Sequence, residues 1–105
     1  TQAYEQAGVA PDDLDVVELH DCFATAELVH YDNLMLCPEG GAVDFFNSGA
    51  PWRDGALPVN VSGGLQSKGH PIAATGIANV WEVCQHLRGE AGDRQIDGAK
   101  VGLAG

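Results

Sequence analysis

A chain of 105 residues with 45% hydrophobic and 19% charged content has room for one core, and at this size dependence on a partner surface is natural. Its 15 Asp and Glu stand against 5 Lys and Arg, a formal charge of -10, which argues against a nucleic-acid partner because phosphate neutralisation needs a basic surface. An anionic small molecule would have to find its phosphate contacts in backbone N–H groups or outside this chain.

Thr1 to Gln6 have helix-forming composition, and Gly8 supplies the left-handed position that ends such a helix. After the turn Ala10-Pro11-Asp12-Asp13, the aliphatic and β-branched run Leu14 to Leu19 predicts a buried strand that delivers His20-Asp21-Cys22-Phe23 at its C-terminal end. Apolar residues at Leu28, Tyr31, Leu34 and Met35 then predict a helix from Ala24 to about Leu36, stopped by Pro38-Glu39-Gly40-Gly41. Ala42 to Leu57 read as a loop excursion anchored by Phe45, Phe46 and Trp52, because Asn47-Ser48-Gly49-Ala50-Pro51 and Arg53-Asp54-Gly55 are turn chemistry. Val59-Asn60-Val61 are a short strand candidate entering SGGLQSKGHP, residues 62–71. Ile77, Val80, Trp81, Cys84 and Leu87 repeat at threes and fours, predicting an amphipathic helix that ends near Gly89 with Trp81 in the core. Glu90 to Gly98 form a polar connector, and Ala99 to Leu103 a last strand candidate. The alternation of helices and strands points to an α/β fold, a layered sheet with helices on its faces. Ligands in such folds sit at the C-terminal ends of strands, where both unusual histidine segments fall.

Cys22, Cys37 and Cys84 lie 15 and 47 residues apart with no C-x-x-C, which fits a reduced intracellular setting. No apolar run approaches the roughly 20 residues a membrane helix needs, and TQAYEQAGVA does not read as a secretory leader. The chain starts inside a helical pattern and stops on a strand pattern, so both ends read as cut.

If His20-Asp21-Cys22 is extended, the imidazole and the thiol share one face and can reach one cleft. The structural alternative makes Cys22 a small buried hydrophobe, His20 a satisfied core group and Asp21 the N-cap of the next helix. His70 sits between Gly69 and Pro71, so it has little freedom, and it reads as a general base or an oxyanion donor, or else as a turn cap. No metal site is expected, since zinc ligands come in pairs at short spacing. His30 and His86 read as surface or interhelical residues. Gly63, Gly64 and Gly69 fit neither a phosphate loop, which needs G-K-[ST], nor the dinucleotide fingerprint. Asp12, Asp13, Asp15, Glu90, Asp93 and Asp97 read as a solvated acidic face.

ELHDCFATAEL at residues 18–28, NVSGGLQSKGHPIAATG at residues 60–76 and Leu36-Cys37-Pro38-Glu39-Gly40 occur in an order and spacing that resemble the C-terminal half of a thiolase. The type is that of the sterol carrier proteins, which carry HDCF where most thiolases have NEAF. The resemblance implies a layered α/β/α half of a two-half fold, truncated at both ends, with the N-terminal half and the last glycine-rich loop and strand outside these 105 residues. It implies that His70 activates a nucleophilic cysteine of the other half, that His20 serves an oxyanion site and that Cys22 is the acid/base group. Gly64, Gly69 and Phe23 would border the substrate.

The implied reaction makes or cleaves a 3-ketoacyl-CoA by Claisen chemistry, with a coenzyme A thioester as substrate and no separate cofactor. The implied partners are the missing N-terminal half and a second copy in a homodimer. The compartment would be the cytoplasm if the source is bacterial and the peroxisome if it is eukaryotic. On its own the fragment should be inactive. Two alternatives share the fold: a subunit of a thiolase-like steroid side-chain retro-aldolase, and a non-catalytic assembly subunit. A thioester α-proton is weakly acidic, so the enolate oxygen needs fixed donors and the carbon a nearby base. A thiol serves as that base where an imidazolium or a helix N-terminus favours its thiolate.

Overall fold

The computed structural model describes residues 2–105. Its elements in chain order are α1 (Gln2–Ala7), β1 (Val16–Glu18), α2 (Ala24–Asn33), α3 (Ala42–Asn47), α4 (Gly64–Lys68), α5 (Thr75–Arg88) and β2 (Gly102–Ala104), with single 3₁₀ turns at Pro11–Asp13 and Gly92–Arg94. β1 pairs in parallel with β2, placing Val16, Val17 and Glu18 opposite Gly102, Leu103 and Ala104. On its other side, Val17 makes a single parallel bridge to Val59.

β1 is the innermost segment: Val16, Val17 and Glu18 are wholly buried and Leu19 nearly so. Alternation along the strand gives its two faces different neighbours. Val17 and Leu19 join a core with Tyr4, Leu14, Tyr31, Ala42 and Leu57. Val16 and the Val83 side chain of α5 both crowd the Cβ position of Gly102, so α5 lies against β2 with no room there for a methyl group. On the first face the Tyr4 hydroxyl donates to the Leu34 carbonyl at 2.7 Å, and the Tyr31 ring meets Phe45 edge-on at 5.0 Å. The Tyr31 hydroxyl donates to Glu27, and burial together with that carboxylate pushes its pKa far up.

Several elements differ from the sequence expectation. α2 stops at Asn33 because Met35 takes a left-handed φ of 59° and Leu36 N–H reaches back to the Tyr31 carbonyl at 3.0 Å. The expected loop over 42–57 begins with a helix, α3, which seats Phe45 on Tyr31. Phe46 and Trp52 are 42% and 59% exposed, so Phe45 alone of the three aromatics acts as an anchor. The expected strand 59–61 is reduced to one bridge because Asn60 turns out of the ladder at φ 54°.

The largest difference concerns α5. The helix exists, but its buried face carries Thr75, Asn79, Glu82, Val83 and His86, while Ile77, Val80, Trp81 and Leu87 are 74%, 53%, 57% and 40% exposed. Trp81 is therefore outside the core, and His86, expected at a surface or between helices, is buried. Polar partners make this orientation possible. Arg94 forks onto Glu82 through Nε at 2.9 Å and Nη2 at 3.1 Å, and His86 Nε2 lies 3.0 Å from the same carboxylate. Ile96 N–H donates to His86 Nδ1 at 3.1 Å, so Nε2 carries the proton given to Glu82. Burial is the strongest influence on Glu82 and opposes its charge, yet Arg94 and His86 together hold its carboxyl below the usual range. Among the described residues no helix is long and apolar enough to cross a membrane.

Candidate functional site

The site is assembled at the end of β1. From Pro58 onward the chain runs beside this strand: Val17 N–H donates to the Pro58 carbonyl at 3.0 Å and Asn60 N–H to the Val17 carbonyl at 2.8 Å. Where the backbone ladder ends, a side chain continues it, as Leu19 N–H donates to Asn60 Oδ1 at 2.7 Å. Two buried carboxylates then seize the glycine segment. Glu18 accepts from Ser62 N–H at 3.1 Å and from the Ser62 hydroxyl at 2.9 Å. Asp21 Oδ1 accepts from Leu65 N–H at 2.7 Å, and the Asp21 carbonyl from Gln66 Nε2 at 3.3 Å. Burial pushes the Glu18 carboxyl up, partly offset by the Ser62 bonds and the charge of Lys68.

Asp21 thus holds the first turn of α4, and the residue at the N-cap of α2 is Phe23. The Asp21 carboxylate also fills the space a Cβ at residue 64 would need, and Gly64 takes φ 64°; glycine is required there on both counts. α4 ends at Gly69, φ 92°, and the chain turns into His70-Pro71.

The consequence is a contact between residues fifty positions apart: the rings of His20 and His70 meet edge to face, centroids 4.9 Å apart and planes at 76°. His20 is half-buried and His70 exposed. His70 Nδ1 lies 3.3 Å from Thr75 Oγ1, whose hydroxyl donates to the Pro71 carbonyl at 3.0 Å. Cys22 is an exposed free thiol directly before Phe23, itself 74% exposed. Gly69 is exposed and lines a small cavity of about 70 Å³ with Lys68, Pro71, Thr75 and Ala78, while Gly64 is buried against Asp21. A larger open cleft in the 48–56 turn region shares none of these residues. Sequence reasoning missed Asp21, Asn60, Ser62 and Thr75 as the groups that hold this arrangement. Only Asp21 gave a signal, as a capping residue, and its real partner is 44 positions away.

Chemically, two imidazoles in contact can exchange protons and donate hydrogen bonds to an oxygen on which negative charge develops, and an accessible thiol lies two residues along the chain from one of them. The chain is a parallel α/β layer with His20 just past β1 and His70 just past α4. Residues 1–105 match the thiolase C-terminal domain-like family, and the chain belongs to it.

Human (Homo sapiens) sterol carrier protein 2 is 53% identical over 102 residues, which cover 97% of this chain and 19% of that protein. The acetyl-CoA acetyltransferase of Methanothermobacter thermautotrophicus is 45% identical over 101 residues, covering 96% of this chain and 26% of that enzyme. Among solved structures, the Ltp2-ChsH2(DUF35) aldolase has a TM-score of 0.77 at 30% identity, over 86% of this chain and 23% of its own. The chain spans about a fifth to a quarter of the length of these relatives.

Proposed function

We propose that these residues form the acid/base part of an acyl-CoA thiolase whose nucleophilic cysteine lies in a further, N-terminal half. In the cleaving direction that cysteine attacks the 3-keto carbon of a 3-ketoacyl-CoA. The bond between the α-carbon and the keto carbon breaks, the acyl group stays on the cysteine sulfur, and the departing enolate takes a proton from Cys22. Coenzyme A thiol then gives its proton to the Cys22 thiolate and attacks the acyl group; the bond to the nucleophilic cysteine breaks, that sulfur takes back its proton from His70, and the shortened thioester leaves. His70 takes the nucleophile's proton, and His20 donates to the thioester oxygen as the enolate forms. Phe23 and Gly69 border the substrate while Gly64, buried against Asp21, shapes the turn beneath it, and no cofactor beyond the coenzyme A thioester takes part.

The observation that carries the reading is the His20–His70 contact, made across fifty positions of sequence and beside the segment that ends in Cys22. The exposed stripe of Ile77, Val80, Trp81 and Leu87 supports a covering N-terminal half, as does the chain's small share of its relatives' length. In this reading the full protein is a homodimer acting inside the cell, and the 105 residues alone are inactive. CoA-dependent cleavage of a 3-ketoacyl-CoA by the full-length chain tests it: His70→Ala and Cys22→Ala should each lower kcat by about a hundredfold or more. Rates equal to the wild type in both would count against catalysis at these residues. The likeness to an aldolase favours one other enzyme reading, a thiolase-like retro-aldolase; aldol cleavage of a hydroxyacyl-CoA without any need for free coenzyme A would select it.

A further inference from the structure

A base must present its lone pair to the reacting group, and an imidazole has two nitrogens to choose between. For His70 the choice follows from donor counting. Thr75 opens α5; its N–H donates to the Pro71 carbonyl at 3.2 Å and its hydroxyl to the same carbonyl at 3.0 Å. A threonine hydroxyl in a helix can reach the carbonyl four residues back in one of its two common rotamers. The Pro71 carbonyl also accepts Ala74 N–H at 3.1 Å, so the hydroxyl proton chooses between this oxygen at 3.0 Å and His70 Nδ1 at 3.3 Å, and the shorter contact takes it. In its 3.3 Å contact with His70 Nδ1, Thr75 Oγ1 is therefore the acceptor and Nδ1 the donor. A neutral imidazole carries one ring proton, which leaves the lone pair on Nε2. Thr75 is 5% exposed, so the partner of Nδ1 is itself fixed in the buried side of α5.

We propose that Thr75 is the positioning residue that locks His70 as the Nδ1–H tautomer and so makes Nε2 the proton acceptor of the site. This deepens the proposed function and rests on it only for the kinetic part. The tautomer is read from the ring-nitrogen chemical shifts of His70 in the full-length protein labelled with 15N-histidine at neutral pH. The wild type should show a protonated Nδ1 and an unprotonated Nε2. Thr75→Val, which keeps the branched shape and removes the hydroxyl, should lose that pattern, and Thr75→Ser should restore it. In the cleavage assay Thr75→Val should lower kcat about tenfold to a hundredfold with little change in KM. A wild-type spectrum with Nε2 protonated, or an unchanged pattern in Thr75→Val, overturns the lock. A changed pattern with an unchanged rate upholds the lock and instead sinks the reading of His70 as a base. Should Thr75→Val not fold, the wild-type and Thr75→Ser spectra still decide the matter.

Discussion

Asp21 does more to hold the site than either histidine. Its carboxylate is buried, accepts from Leu65 N–H and occupies the volume that keeps residue 64 a glycine. Replacing it by alanine strands a buried N–H at the start of α4, and the full-length chain should lose about 1.5–3 kcal/mol in chemical denaturation. Asp21→Asn keeps an acceptor oxygen and should recover much of that loss; equal losses in both variants would show that charge, and not the bond to Leu65, is what matters. The sequence placed Asp21 beside His20 and Cys22, but its partner was not legible there. Propensity rules describe neighbours in sequence, and Leu65 becomes a neighbour only once the chain folds back along β1. The same limit hid Thr75, whose role depends on how Pro71 and His70 turn into α5.

Among the elements, β1, α2 and α5 were readable because long apolar patterns survive tertiary context. α3 and α4 were not, since a helix of five or six residues has little intrinsic stability and forms where packing or a side-chain bond supports it. Periodicity also located the stripe on α5 without telling which side the sheet would take. The buried side is tied down by Glu82, His86 and Arg94, and this gives the helix an acid-dependent anchor. Because the folded pKa of Glu82 is depressed, its contribution is fully present above the ordinary glutamate value of about 4.3 and is lost as pH falls through the lower folded value. Glu18 has the opposite sign: its raised pKa favours the fold most below the ordinary value, and that benefit fades as pH rises through the folded one. Glu82→Gln should therefore destabilise by about 1–3 kcal/mol at neutral pH, a figure discounted because Arg94 is 42% exposed. The gap from wild type should close as denaturation is repeated toward pH 3. A gap that stays constant with acid would rule out the anchor.

At the scale of the whole molecule, one face is finished and one is bare. Polar groups on the buried side of α5 are satisfied by Pro71, Arg94, Ile96 and Gly105 while Ile77, Val80, Trp81 and Leu87 meet solvent, the reverse of what an isolated domain does with such residues. If an N-terminal half covers this stripe, Trp81, read as the difference between the chain and its Trp81→Phe variant, should emit at shorter wavelength and resist acrylamide quenching in the full-length chain. In the 105-residue piece it should emit like indole in water. Identical spectra for the two would remove the covering half from that helix.

The bridge between Val17 and Val59 bears on how this protein comes to be made. The two histidines meet only after that remote pairing has closed a loop of some forty residues, and parallel pairing over such separations is slow. The contact between the two imidazoles is therefore expected late in refolding, after α2 and α5 have formed. A newly synthesised chain should keep the two rings apart until the scaffold that joins them is complete.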